Sequence, residues 1–284
     1  MSLLWYKNRS IEILYSAVVV FKQVDPFQYE QVRGHLLYVL DMNAIKPQIM
    51  TREFLLYALG ISHAMQHQGF ALGTLYLGIA TIPTHAHRGT TGFNSAGAWS
   101  SVNHFHLQGF FFPEIDGESS TIFPVANQPR EVMFCADGAV VKKIPTWKTS
   151  CYVIAPEGDG SDAAQVAEIA WVLLEITQSR EIPHNILIVG DVIFVFPRQQ
   201  QRENGLGLIF AETGNIDKTS IRSGRLRIAV AELSGLIIAG DQMVYENLTE
   251  DMFNAILQNE ISLSPVCLDV PADLNSSISL TYGF

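Results

Sequence analysis

Basic side chains are scarce in this chain. Lys and Arg together number 18 among 284 residues, against 28 Asp plus Glu, for a formal net charge of −10. A surface of that sign has little with which to displace counterions from a polyanion, which excludes broad nucleic-acid binding. A small anionic substrate stays compatible, because a few local donors suffice for one diphosphate. Cysteine is scarcer still. Cys135, Cys151 and Cys267 are too few and too scattered for a disulfide framework or a zinc knuckle, and are expected to be reduced core thiols of a cytoplasmic protein. Internal repeats and long low-complexity tracts are missing. The first residues do not read as a secretory leader, since Lys7, Arg9 and Glu12 precede only a short apolar run, Ala17 to Phe21. Formal charge is absent between Glu53 and Arg88, yet His63, His67, His85 and His87 punctuate that stretch. Its apolar part, Gly69 to Pro83, falls short of the roughly 20 residues a membrane-spanning helix needs. Packed structure is expected there, with a membrane contact through 68–87 as the lesser alternative.

What is present is globular. Hydrophobic residues make up 48% and charged residues 16%, enough for one large domain or two modest ones with their own cores. Ala17 to Phe21 and Gly34 to Leu40 read as strands. Thr51 is placed to cap a helix whose apolar positions Phe54, Leu55, Ala58, Leu59 and Met65 recur at helical spacing. Gly89 to Gly97 reads as a glycine-punctuated turn, followed by a strand from about Trp99 to Phe112. Pro113, Gly117, Pro124 and Pro129 mark a break, which divides the chain into 1–128 and 129–284. In the second part, Ser161 to Ser179 carries a helical stripe of Val166, Ile169, Ala170, Leu173 and Ile176. Residues 185–196 form a hairpin around Gly190-Asp191, a pair suited to a two-residue primed turn. Arg198 to Gly207 reads as solvated polar loop, Leu226 to Glu232 as a strand, and Thr249 as the cap of a last helix through Leu257. Strands broken by a few helices, without regular βαβ alternation, predict an α+β fold.

The chemistry concentrates in Asn103-His104-Phe105-His106-Leu107-Gln108. On a strand, residues two apart share a face, so His104, His106 and Gln108 line one side while Phe105 and Leu107 pack on the other. Buried imidazoles need partners, because an unpaired polar group costs about 1–3 kcal/mol. The residues alone leave three readings open. The stripe is a wet strand face; it is half of a metal site shared with His85 and His87, a reading weakened by the lack of a carboxylate before Glu114; or it is a catalytic strand. The preceding Phe93-Asn94-Ser95-Ala96-Gly97-Ala98-Trp99-Ser100-Ser101 places an amide, hydroxyls and a glycine turn where they can donate to phosphate oxygens without adding charge.

These residues resemble the histidine-triad superfamily, whose motif is His-x-His-x-His or His-x-His-x-Gln after an asparagine and a glycine turn. The Gln ending resembles its transferase branch. The fit is to the GDP-hexose phosphorylases, which carry stretches similar to Phe93-Asn94-Ser95-x-Gly97-Ala98, Val102-Asn103-His104-x-His106, Gly34-His35-Leu36-Leu37, Ile182 to Ile188, and Glu232-Leu233-Ser234-Gly235. The stretch from about Gln68 to His87 has no counterpart there, and Leu236 stands where many relatives have histidine. The resemblance implies a histidine-triad-like antiparallel sheet with helices, in two similar halves. It implies a nucleotidyltransferase that converts a GDP-hexose and inorganic phosphate to hexose 1-phosphate and GDP. His106 would be the nucleophile, forming a guanylyl-histidine, with His104 and Gln108 as the other catalytic positions. Asn94, Ser101, Asn103 and Gly97 would bind substrate. The alternatives are a nucleotide hydrolase of the superfamily and an inactive nucleotide-binding relative. No metal, other cofactor or nucleic acid is implied, and a homodimer is left open. Among further candidates, His184-Asn185 lies at the mouth of the second hairpin, and Arg198 could meet phosphate.

Overall fold

The computed structural model describes residues 4–6, 17–21, 36–40, 44, 46–67, 89–100, 103–111, 123–158, 162–201, 205–211, 221–237 and 242–263. Strands β1 (Leu4–Tyr6), β2 (Ala17–Phe21), β3 (Leu36–Leu40), β4 (Gly89–Asn94) and β5 (His106–Phe111) precede a short 3-10 turn, Pro124–Asn127. Then follow β6 (Glu131–Ala136), β7 (Ala139–Lys143), β8 (Tyr152–Pro156), β9 (His184–Val189) and β10 (Val192–Pro197). These ten make one sheet in the order β1-β2-β3-β5-β4-β9-β10-β8-β7-β6, with every neighbouring pair antiparallel. The early and late strands meet at β4 and β9, so the two parts of the chain share one continuous sheet. A separate hairpin joins β11 (Leu206–Ala211) to β12 (Ile221–Leu226).

Each face of the sheet has its own cover. Helices α1 (Arg52–His67) and α2 (Ala163–Ser179) lie against one face, α1 on β4 and β9 and α2 on β7, β8 and β10. The stripe predicted for α2 is the one it buries: Val166, Ile169, Ala170 and Leu173 have no exposure, and they pack with Phe54, Leu55, Phe93, Ile186 and Val195. Asp162 starts α2 through a capping box, its carboxylate accepting from Ala164 N at 3.0 Å while Gln165 Oε1 accepts from Asp162 N at 3.0 Å. Thr51 Oγ1 accepts from Phe54 N at 3.2 Å and so caps the start of α1. Over the other face lie β12 and the short helices α3 (Val230–Leu233), α4 (Gln242–Asn247) and α5 (Glu250–Ile256). There Leu226, Ile228, Val230, Leu233 and Phe253 pack on Leu187, Phe194 and Phe196.

Several local expectations need correction. Gly89–Asn94 is a central strand and not a turn; burial between β5 and β9 outweighs the low strand preference of its two glycines. The strand expected from Trp99 begins only at His106: Ala98 N donates to Ser95 O at 3.0 Å and Trp99 takes φ +67°, so this segment is a tight turn. The strand expected over Leu226 to Glu232 ends at Leu226, and Val230–Leu233 is a helical turn. Its first N–H groups are satisfied by acceptors that pattern reading does not see, Asn94 Oδ1 for Val230 and Glu232 Oε2 for Ala229. Arg198 and Gln201 are buried, not solvated. Cys135 is exposed on edge strand β6, whereas Cys151 is a core thiol as expected; Cys267 lies outside the described residues. So do Ser101, His35, His85, His87, Arg202, the stretch 68–88 and most of the Pro113 to Pro129 break. Among the described residues, no helix is long and apolar enough to cross a membrane.

Candidate active site

The register sets the site. Gly92 of β4 opposes Gln108 on one side and Leu187 on the other, and Asn94 opposes Asn185. Directly opposed residues share a face, as do residues two apart along a strand, so Asn94, Asn185, His106 and Gln108 all face away from α1 and α2. The ladder between β4 and β5 stops after Gly92 and Gln108. Beyond it the side chain of Gln48 stands between the two strands: Nε2 donates to Asn94 O at 3.0 Å and to His106 O at 3.2 Å, and Oε1 accepts from His106 N at 2.9 Å. The strands therefore part at the row that carries Asn94 and His106. Gln48 was not anticipated, because a glutamine after Pro47 is an ordinary loop residue in sequence. Asn103 holds the same segment, its Oδ1 accepting from Gln48 N at 3.1 Å.

His106 is 3% exposed. Its Nδ1 lies 2.9 Å from His104 O; a carbonyl only accepts, so Nδ1 carries the proton and Nε2 holds the lone pair. That Nε2 is buried with no hydrogen-bond partner among the described residues. Burial lowers the pKa of His106, the hydrogen bond to His104 O opposes this, and the nearby His104 ring adds to the lowering. The imidazole is thus neutral at pH 7, with one nitrogen pinned and the other available. His104 stands in the bend before the strand, its Nε2 3.1 Å from Leu40 O, so it is the His104 carbonyl that orients His106.

Asn94 is buried among donors. Its Oδ1 accepts from Asn185 Nδ2 at 2.6 Å and from Val230 N at 2.9 Å, while its Nδ2 is a second buried group without a partner among the described residues. Asn185 Nδ2 also donates to Ala98 O at 2.9 Å, and Gln201 N to Gly97 O at 3.1 Å. Those bonds hold the turn after β4. Gly97 sits there with φ +77°, and a Cβ would come within 3.1 Å of Pro183 Cγ, so the turn needs glycine.

His184 is built like His106, Nδ1 3.1 Å from Ile182 O and Nε2 without a partner among the described residues, but it lies on the helix-bearing face beside Phe93, at 6.1 Å between ring centroids. Of the pair singled out in sequence, Asn185 and not His184 shares the face of His106. Burial pushes the His184 pKa down to about 4. In the unfolded chain it returns to about 6.5, so the fold refuses a proton that the unfolded state accepts. Stability on this account falls as pH drops from about 6.5 to about 4, by at most about 3 kcal/mol. Urea midpoints at pH 7 and pH 4.5 check this: the drop in the wild type is expected to exceed that in His184→Gln, and equal drops would refute it.

An antiparallel sheet with two long helices on one face, and turned away from them an imidazole aimed by the carbonyl two residues before it and followed at the same spacing by a glutamine, defines a histidine-triad protein. The chain belongs to the GDPGP1-like family, whose C-terminal-domain model matches residues 124–267. It is 24% identical to GDP-D-glucose phosphorylase 1 of Xenopus laevis over 85% of this chain and 52% of that protein. It is 26% identical to GDP-L-galactose phosphorylase 2 of Arabidopsis thaliana over 88% of this chain and 49% of that protein. The chain thus spans about half the length of the curated relatives it matches. Its fold is similar to the crystal structure of yeast Ap4A phosphorylase Apa2, with a TM-score of 0.55 at 19% identity, covering 85% of this chain and 73% of the other.

Proposed function

We propose that the chain is a nucleotidyltransferase which phosphorolyses a GDP-hexose through a guanylylated His106. The observation that carries this is His106 Nε2, a buried lone pair with no protein partner among the described residues, fixed in direction by the bond from Nδ1 to His104 O. The names of the relatives, one acting on GDP-D-glucose and one on GDP-L-galactose, supply the substrate class.

Nε2 attacks the α-phosphorus in line, and the bond from that phosphorus to the oxygen bridging to the β-phosphate breaks. Hexose 1-phosphate leaves with the electron pair, and GMP stays joined to Nε2. An oxygen of inorganic phosphate then attacks the same phosphorus, releases GDP and returns the neutral imidazole. Splitting the exchange into two displacements is the gain of covalent catalysis. Charge develops on the non-bridging oxygens in both steps, and neutral donors already in place stabilise it without reorganisation. Asn94 Nδ2 and the Gln108 carboxamide are those donors, and Gln108 cannot protonate the leaving group as an acid would. Ser101, Asn103 and Gly97 complete the substrate-binding set in this reading. Residues 1–128 supply His106 and its neighbours; 129–284 supply Asn185 and the donors behind it.

Incubation with GDP-glucose or GDP-galactose labelled at the α-phosphate tests this. Label on His106 without phosphate, and labelled GDP once phosphate is added, are expected. Labelled GMP released at the same rate with or without phosphate would replace phosphorolysis by hydrolysis.

A further inference from the structure

Arg198 has no solvent exposure, an unusual position for a guanidinium. It follows β10, and its own N–H donates to Pro183 O at 2.9 Å. Its side chain is fully engaged: Nε donates to Gln199 O at 3.1 Å, Nη1 to Ile228 O, and Nη2 reaches Gln201 Oε1 at 3.5 Å. Nη1 also lies 3.5 Å from Asn185 Oδ1. From Asn185 the contacts run to the site, since its Nδ2 donates to Asn94 Oδ1 at 2.6 Å, while Asn94 Nδ2 has no partner among the described residues.

From this series of contacts we infer that Arg198 is a positioning residue for the transferred nucleotidyl group: through Asn185 it sets the amide orientation of Asn94, so that Asn94 Nδ2 meets the α-phosphate oxygens as His106 Nε2 attacks. The inference rests on the guanylyl-histidine reading above.

Two physical effects support it. The first is orientation. Asn94 Oδ1 receives two donors, from Asn185 and Val230; turning the amide over would set an NH2 against both, at about 1–3 kcal/mol for each unmet group. Asn185 can hold its own donor toward Asn94 because its oxygen faces the Arg198 cation. The second is polarisation. Guanidinium, amide and amide stand head to tail, so the buried positive charge strengthens each donor in turn, and such chains gain roughly 10–30% per bond. The charge persists at neutral pH: burial lowers the Arg198 pKa to about 10, opposed by the nearby Glu232 carboxylate. A purely structural strut would account for the bonds to Ile228 and Gln201, but not for the head-to-tail order that runs from Arg198 Nη1 through Asn185 to Asn94.

The full-length chain, assayed for phosphate-dependent GDP release, separates these roles. Asn185→Asp puts a carboxylate between Arg198 and Asn94, neutralises the cation and removes the donor to Asn94 Oδ1. Turnover is expected to fall about 100-fold, the scale of losing one oxyanion donor, with KM within threefold; the thermal midpoint falls as well, because the carboxylate faces Asn94 Oδ1 and Ala98 O, which both accept from Asn185 Nδ2. Arg198→Lys keeps the charge but loses the planar fork, and turnover is expected to fall about tenfold at unchanged KM. Turnover of Asn185→Asp within threefold of wild type, or a loss carried by KM at unchanged turnover, overturns the inference. If Asn185→Asp does not fold, Arg198→Lys decides alone, and full turnover in it is the overturning result. A wild-type chain that neither labels His106 nor releases GDP overturns the guanylyl-histidine reading and this inference with it; an active wild type matched by an equally active Asn185→Asp overturns this inference alone.

Discussion

Replacing His106 by asparagine is expected to lower phosphate-dependent GDP release by about 10⁴-fold or more, the scale seen when a covalent nucleophile is removed, and to abolish labelling of the protein. The carboxamide of asparagine can keep the bond to His104 O that the imidazole Nδ1 makes, so the turn and the strand start should survive. It has no basic nitrogen to form a bond to phosphorus. The loss should therefore fall on turnover, with GDP still bound at a Kd within about tenfold of wild type, a shift of about 1.4 kcal/mol. The pH profile adds a second check. Burial holds the His106 pKa below its ordinary value, so first-step labelling in the wild type should stay flat from pH 8 down past 6.5, the usual histidine midpoint. Persistent label on His106→Asn, or turnover within tenfold of wild type, would remove His106 from the chemistry.

A valine at Gly235 is expected to be among the most damaging single changes outside the catalytic row. Gly235 has φ +98°, where a side chain is strained, and a Cβ there would lie 2.8 Å from both Cβ and Cγ of Pro124. A branched side chain adds overpacking to that strain, for a combined loss of about 3 kcal/mol or more, read as a lowered urea midpoint. Gly207→Ala serves as the control, since none of the described residues lies within 4 Å of a Cβ at that position; its effect should stay within about 0.5 kcal/mol. The contact matters to the site because Gly235 closes α3, where Gly235 N donates to Glu232 O at 3.0 Å and Val125 N to Ser234 O at 3.2 Å. At its other end α3 gives Val230 N to Asn94 Oδ1. Loosening the Pro124 turn is thus expected to reduce turnover in molecules that still fold. An unchanged midpoint would show that the backbone can move aside.

The sheet was legible where sequence signals are local. Helix α1 was readable from its apolar spacing and the Thr51 cap, α2 from its stripe, and the hairpin of β9 and β10 from Gly190-Asp191. An equal signal was missed at Asp137-Gly138: their φ values of +44° and +75° form the turn between β6 and β7, and an Asp-Gly pair before Ala139-Val140-Val141 is the expected mark of such a hairpin. β4 and β12 gave no such mark. A Gly-Thr-Thr-Gly run becomes a strand only because two neighbours bury it, and Arg198 looks like a loop cation until Asn185, Ile228 and Gln201 are seen around it.

By itself the sequence determined that the chain is α+β and which segment carries the imidazole and carboxamide, since His106 and Gln108 share a face by their spacing along one strand; His104, read as part of that strand, stands before it and meets His106 through its carbonyl. Only the tertiary structure decided that β4 and β9 join the early and late strands into one sheet, that Gln48 parts β4 from β5 at the reactive row, and that Asn94 is tied to Asn185, Val230 and, through Asn185, to Arg198. Apart from the 13-residue step between Asn185 and Arg198, those partners lie 46 to 136 residues apart. Hydrogen bonds over such separations follow from how the sheet and its cover pack, and no local pattern of residues encodes them.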